Sequence, residues 1–104
     1  MKQSDKQHLN RLSAIGCIAC RLQGTPGTPA EMHHPRAGTG AGRKAAHTDA
    51  LPLCPAHHRG TMHPAVPSIH LDKNRFIEEF GTEAELLEAT RAVLAKFDEM
   101  LEAI

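Results

Sequence analysis

Two short donor pairs dominate the chemistry this sequence could support: Cys17-Ile18-Ala19-Cys20 and Cys54-Pro55-Ala56-His57, each with two residues between its donors. That spacing lets a backbone turn aim both donors at one ion, and Zn2+ favours four thiolate and imidazole ligands in a tetrahedron. A closed Cys3His set leaves no position for water. Such a zinc would be structural, tying residue 17 to residue 54. His58 could close the set through a three-residue gap, but His57 is preferred because its spacing repeats that of the first pair. Read instead as small buried residues or reactive thiols, the cysteines would leave the paired spacing unexplained.

Four further histidines, His33, His34, His58 and His63, cluster along the same stretch with Asp49 between them. Metal-assisted phosphodiester hydrolysis needs a cation to offset charge on the phosphoryl group and a base to deprotonate water, and neutral imidazole titrates in the right range. Adjacent strand residues point to opposite faces, so a His-His pair can split roles. His34 fits the base, and His33 and His58 fit the ion. Asp49 could accept a hydrogen bond from the His34 ring and fix its tautomer. His8 and His70 read as surface residues, and His47 as a solvated residue or a phosphate contact. The competing reading of His33, His34 and His58 is a second structural zinc site without catalysis.

Arg36, Arg43, Lys44 and Arg59 flank these histidines as candidate DNA phosphate contacts, and Gly38, Gly40 and Gly42 would allow backbone to approach a phosphate. Four cations are not a basic surface, and a few phosphate contacts give weak, salt-sensitive binding. The segment holds no aromatic residue to stack bases. A duplex or structured DNA is therefore expected rather than a stacked single strand, with targeting left to a partner.

The elements that must position these residues come from 104 residues, with Trp and Tyr absent and three Phe. A chain of this size buries only about two-thirds of its unfolded surface, so a zinc staple is a reasonable supplement to the core. Net charge is zero overall, but residues 1–71 carry eight Lys/Arg against Asp5, Glu31 and Asp49, whereas residues 72–104 carry four against nine acids. All eight histidines lie in the basic part, so the chemistry is expected there and not in the tail. No apolar run approaches the roughly 20 residues of a membrane span, and the N-terminus is too polar for a signal peptide, so a cytoplasmic protein is expected.

Ser4-Asp5-Lys6-Gln7 has capping-box spacing, with Leu9, Leu12 and Ile15 at helical intervals before Gly16, predicting a helix over 4–15. Residues 17–54 carry five of the eight glycines and should be mostly loop, with short strands near 31–34 and 49–54. Pro55 suits the first position of a short helix over 56–62, weakened by Gly60. Asp72 can cap a helix bearing Phe76, Ile77 and Phe80 and stopped by Gly81. Thr82-Glu83-Ala84-Glu85 opens a last helix to about residue 102, with Leu86, Leu87, Val93, Leu94, Phe97, Met100, Leu101 and Ile104 as its core or dimer stripe.

Cys-x-x-Cys, then Glu31-Met32-His33-His34, then the run from Asp49 to His58, resembles an HNH (ββα-metal, His-Me finger) endonuclease of the zinc-knuckle type. Continued through His58-Arg59-Gly60 and His63 into Phe76 and Phe80, the string is similar to the phage recombination-enhancement, RecA-dependent nucleases over roughly residues 10 to 95. The resemblance implies His34 as general base, His33 and His58 as metal ligands, and Asp49 in the middle place where generic HNH proteins carry Asn. A third ligand four residues after His58 would be Met62, a poor ligand for a hard ion, and His63 is the substitute. It also implies DNA as substrate and a RecA filament or another recombination protein as partner. RecA-dependent relatives carry a long basic N-terminal extension where this sequence begins almost at the nuclease part, so weaker dependence on RecA is expected.

The expectation is thus one α+β domain over 1–104, its zinc and catalytic core at about 14–70 and a helical part at 72–104. One N-terminal and two C-terminal helices flank the ββα-metal site. Its reaction would be metal-dependent cleavage of DNA, with Mg2+ or Mn2+ in turnover, although an all-imidazole set would also bind Zn2+ or Ni2+. The competing class is a noncatalytic zinc-binding adaptor docking on DNA or a recombination protein.

Overall fold

The computed structural model describes residues 2–35 and 47–103. Among the described residues the elements in order are α1 (Gln3–Ile15), α2 (Ile18–Leu22), β1 (Glu31–His33), β2 (Leu51–Leu53), α3 (Pro55–His58), α4 (Lys73–Phe80) and α5 (Glu83–Glu102), with a 3-10 turn at His47–Asp49 before β2. The arrangement is α+β. Its sheet is one antiparallel pair in which Glu31 faces Leu53, Met32 faces Pro52 and His33 faces Leu51.

Helix α1 begins one residue ahead of the expected start. Lys2 occupies the N-cap without a side-chain cap bond, and Ser4 falls inside the helix, so the predicted Ser4 capping box does not form. Leu12 and Ile15 are buried as their spacing requires. Gly16 ends the helix at φ +75°, where a Cβ would lie 2.7 Å from the Thr28 carbonyl oxygen. Only glycine permits this close approach, which brings the Cys17 N–H to the same carbonyl at 2.9 Å. Helix α2, absent from the sequence reading, starts at once: Cys17 is its N-cap and accepts a hydrogen bond from the Cys20 N–H through Sγ.

Strand β2 is buried along its whole length, with Leu51 and Leu53 fully enclosed. Around it collect Ile18, Phe76 and Leu86 together with the three cysteines, and a second cluster joins Leu12, Ile15, Ala50 and Leu94. The stripe of α5 is thus core at Leu86 and Leu94, whereas Met100 and Leu101 stand in solvent. Thr90, outside the predicted stripe, is buried too, its hydroxyl donating to the Leu86 carbonyl at 2.7 Å. Ile104 lies outside the described residues. Ion pairs fasten α5 across the molecule, Arg11 to Asp98 and Arg91 to Asp49.

Helix α3 stops at His58, four residues short of its predicted end. Gly60 takes φ +81°, with its N–H on the Pro55 carbonyl, and turns the chain back. Asp72 occupies the N-cap of α4 but makes no side-chain cap bond. The Thr82 capping box forms as predicted: the Thr82 hydroxyl accepts from the Glu85 N–H at 3.2 Å, and the Glu85 carboxylate accepts from the Thr82 N–H at 3.0 Å. Thr82→Ala should therefore lower the unfolding free energy of the zinc-loaded protein by about 1 kcal/mol, while Ser4→Ala should change it by only a few tenths. Urea denaturation of both variants checks the contrast; equal losses would contradict the two different helix starts.

Candidate metal and catalytic site

Cys17, Cys20, Cys54 and His57 are all buried and bring one donor atom each to a common point. Cys17 sits where α1 ends, Cys20 in α2, Cys54 after β2, and His57 in the first turn of α3. The His57 Nδ1 lies 3.7 Å from the Cys17 Sγ, 3.5 Å from the Cys20 Sγ and 3.2 Å from the Cys54 Sγ; the Cys20 and Cys54 sulfurs are 3.8 Å apart. A tetrahedron with Zn–S of about 2.3 Å and Zn–N of about 2.0 Å has edges of about 3.5–3.8 Å. The donors therefore fit a structural zinc ion, and His57, not His58, is the fourth. Burial pushes the Cys17 thiol up to about 12 and raises that of Cys54. Unmetallated, the cluster would keep the Cys17 and Cys54 thiols protonated. Burial lowers the pKa of His57, whose ring stands edge-on to Phe80 at 5.0 Å.

The neighbouring residue begins a second cluster. Successive helix residues turn by about 100°, so with His57 facing the cysteines His58 faces elsewhere. It meets His33 of β1 and His70, with ring centroids 5.2 Å and 4.8 Å away, and His33 and His70 are 5.3 Å apart. One nitrogen of each lies within 4.8 Å of the others, a spacing that fits a shared divalent ion. His70 replaces the expected His63 in this group. The Ile69 N–H donates to the His57 carbonyl at 2.8 Å, which sets the next residue, His70, beside His58. His63 instead lies 3.2 Å from the Asp72 carboxylate.

Two carboxylates hold the imidazoles. Glu31 and His33 share a face of β1, being two residues apart. The Glu31 carboxylate lies 2.8 Å from the His58 Nδ1 and also accepts from the Arg59 guanidinium at 2.9 and 3.0 Å. Those hydrogen bonds, from Arg59 first and His58 second, hold the Glu31 carboxyl down at about 2. On the other side Glu83, the first residue of α5, lies 3.0 Å from the His33 Nε2. Burial outweighs this carboxylate and lowers the pKa of His33, keeping the ring neutral and fit to bind a cation.

His34, just past β1, turns to His47, whose Nδ1 is 3.1 Å from the His34 Nε2. Burial and then the His47 charge lower its pKa, which favours a neutral ring able to take a proton. Asp49 does not meet His34; its carboxylate accepts from Arg91 at 3.0 Å. The partner expected of Asp49 is thus supplied by His47. A cavity of about 280 Å3 opens onto these groups, lined by His33, His34, Ile69, His70, Lys73 and Glu83. Arg36, Arg43 and Lys44 lie outside the described residues.

Sequence reasoning did not place His70, Glu31 and Glu83 in this cluster, and it read His47 as a solvated residue or a phosphate contact and not as the partner of His34. Of these Glu31 had a signal, since strand alternation places it with His33. Glu83 was set aside with the acidic tail.

Zinc at the first cluster must displace protons from the Cys17 and Cys54 thiols, which burial keeps protonated, so its affinity should fall as pH falls, by at least about tenfold per unit. Chelator competition between about pH 6 and 8 reads this. In the same preparation Cys17→Ser should lose zinc and cooperative melting, whereas His34→Ala should keep both; equal unfolding of the two variants would contradict separate sites.

The chain matches, over residues 2–95, the family described as recombination enhancement, RecA-dependent nuclease. No curated protein matches it. With that match covering most of its length, the chain belongs to the recombination-enhancement, RecA-dependent nuclease family.

Proposed function

We propose that the chain is a divalent-metal-dependent DNA endonuclease of HNH type, with β1, β2 and α3 as its ββα-metal core. The observation that carries this reading is the meeting of His33, His58 and His70 apart from the Cys3His cluster, with His33 and His70 lining one cavity together with His34. The family description, a RecA-dependent nuclease of recombination, supports DNA as the substrate class and RecA as a partner, which in this reading targets the chain as a filament.

In this reading His33, His58 and His70 hold the ion; His63, engaged with Asp72, is left out. A bound divalent ion, Mg2+ or Mn2+, would supply charge to offset that growing on the phosphoryl and departing 3′ oxygens. Imidazole donors also suit Zn2+ and Ni2+. Glu31 and Glu83 orient the His58 and His33 rings, and His34 takes the proton from the attacking water. Contact with His47 at one ring nitrogen leaves the other, Nδ1, for that proton. The Cys3His cluster supports folding and takes no part in the chemistry.

Plasmid nicking with added Mg2+ or Mn2+ tests the reading. His34→Ala should lower kcat by about 100-fold or more with zinc content unchanged. His70→Ala should weaken activation by the divalent ion, while His63→Ala should leave it within about twofold of wild type. A noncatalytic adaptor would show no metal-dependent cleavage in the wild type and one ion per chain in place of two.

A further inference from the structure

The histidine cavity has a charge problem. A phosphodiester brings a negative charge, and the cavity already holds the Glu83 carboxylate. Of its other described lining residues, His33 faces Glu83 through Nε2 and His34 faces His47 through Nε2. Arg59, the flanking cation nearest in sequence, is forked onto Glu31 through three contacts, and Arg91 is taken by Asp49. Lys73 is different. It is the first residue of α4, lines the cavity, and has a side chain 61% exposed. Its ammonium lies 3.7 Å from Glu83 Oε1, while the other oxygen of that carboxylate serves His33. At 3.7 Å the pair is beyond hydrogen-bond length, so the three ammonium donors remain available to another acceptor.

Resting on the nuclease reading above, we propose that Lys73 is the phosphate-binding cation of the histidine cavity, contacting a non-bridging oxygen of the bond to be cut. Lysine suits this place as a compact charge on a long flexible stem, able to leave Glu83 for the phosphate without moving the helix that carries it. Burial of Phe76, three residues on, fixes α4 and so fixes the base of that stem. Release of Glu83 toward His33 as the phosphate takes the ammonium would strengthen the support of that ring at the moment charge builds at phosphorus.

The test compares wild type, Lys73→Ala and Lys73→Arg, each loaded with zinc and assayed with Mn2+ on plasmid DNA. A second arm measures affinity for a short duplex across a salt series. Lys73→Ala should lower kcat by about 10- to 100-fold, and Lys73→Arg should recover most of it, with metal count and melting unchanged in both. The plot of log affinity against log salt should be shallower by about one in Lys73→Ala, the signature of one lost phosphate contact. Wild-type kcat and slope in Lys73→Ala would overturn the assignment, and so would loss of a metal ion, which would make Lys73 a support of the cluster. Should the wild type not cleave at all, the nuclease reading fails first. The salt slope then decides Lys73 alone: shallower by about one supports the contact, and unchanged removes it.

Discussion

Cys17, Cys20, Cys54 and His57 draw together the end of α1, helix α2, the end of β2 and the start of α3 in the interior of a chain with few large side chains. Each strand has only three residues, too few to persist unsupported, and the apolar cluster around them includes the cysteines themselves. Bringing residue 17 to residue 54 is therefore what makes the β-pair possible. The pair in turn sets Glu31 and His33 opposite α3. Zinc at this point would offset the cost of enclosing three cysteine sulfurs and an imidazole, and it would do so at the seam of the core.

The same helix turn couples support to chemistry. His57 and His58 are consecutive, and the angular step between them sends one ring into the cysteine cluster and the other toward His33 and His70. A second link runs through the backbone, where the His57 carbonyl accepts from Ile69 and so delivers His70. Gly60 allows this return, since a Cβ there would lie 2.4 Å from the Leu71 side chain. Distortion of the first cluster would consequently be felt at the second, although the two share no donor.

What was legible in the sequence was mostly local. The Thr82 capping box, the stop at Gly81 and the Cys-x-x-Cys and Cys-x-x-His spacings each depend on residues within a turn of one another. Ser4 carried the same spacing as Thr82 and misled, because the helix could begin at Gln3 and enclose it. Helix α2 has five residues, too short for periodicity to show, and its start is set by a cysteine sulfur cap and not by Ser, Thr, Asp or Asn. His70 sits in a turn and His47 opens a three-residue 3-10 turn, so no pattern of two or 3.6 marks them. Long-range contacts deliver them: Ile69 to His57 for the first, and the ring contact with His34 for the second.

Charge segregation along the chain also reads differently once folded. The acidic final third looked unable to serve an anion site, yet it supplies both Glu83 and Lys73 to the cavity. Its remaining acids are partly spent on docking, Asp98 on Arg11, while its Arg91 reaches back to Asp49. Exposed pairs of this kind contribute little stability individually. Their greater effect is on register: α5 carries Glu83 at one end, and Leu86, Thr90 and Leu94 buried along its length fix how far that end reaches. Because Glu83 lies 3.0 Å from His33 on one oxygen and 3.7 Å from the Lys73 ammonium on the other, the reach of α5 sets the positions of the His33 imidazole and of the Lys73 ammonium together. A helix that covers the core thereby also sets the charge beside His33.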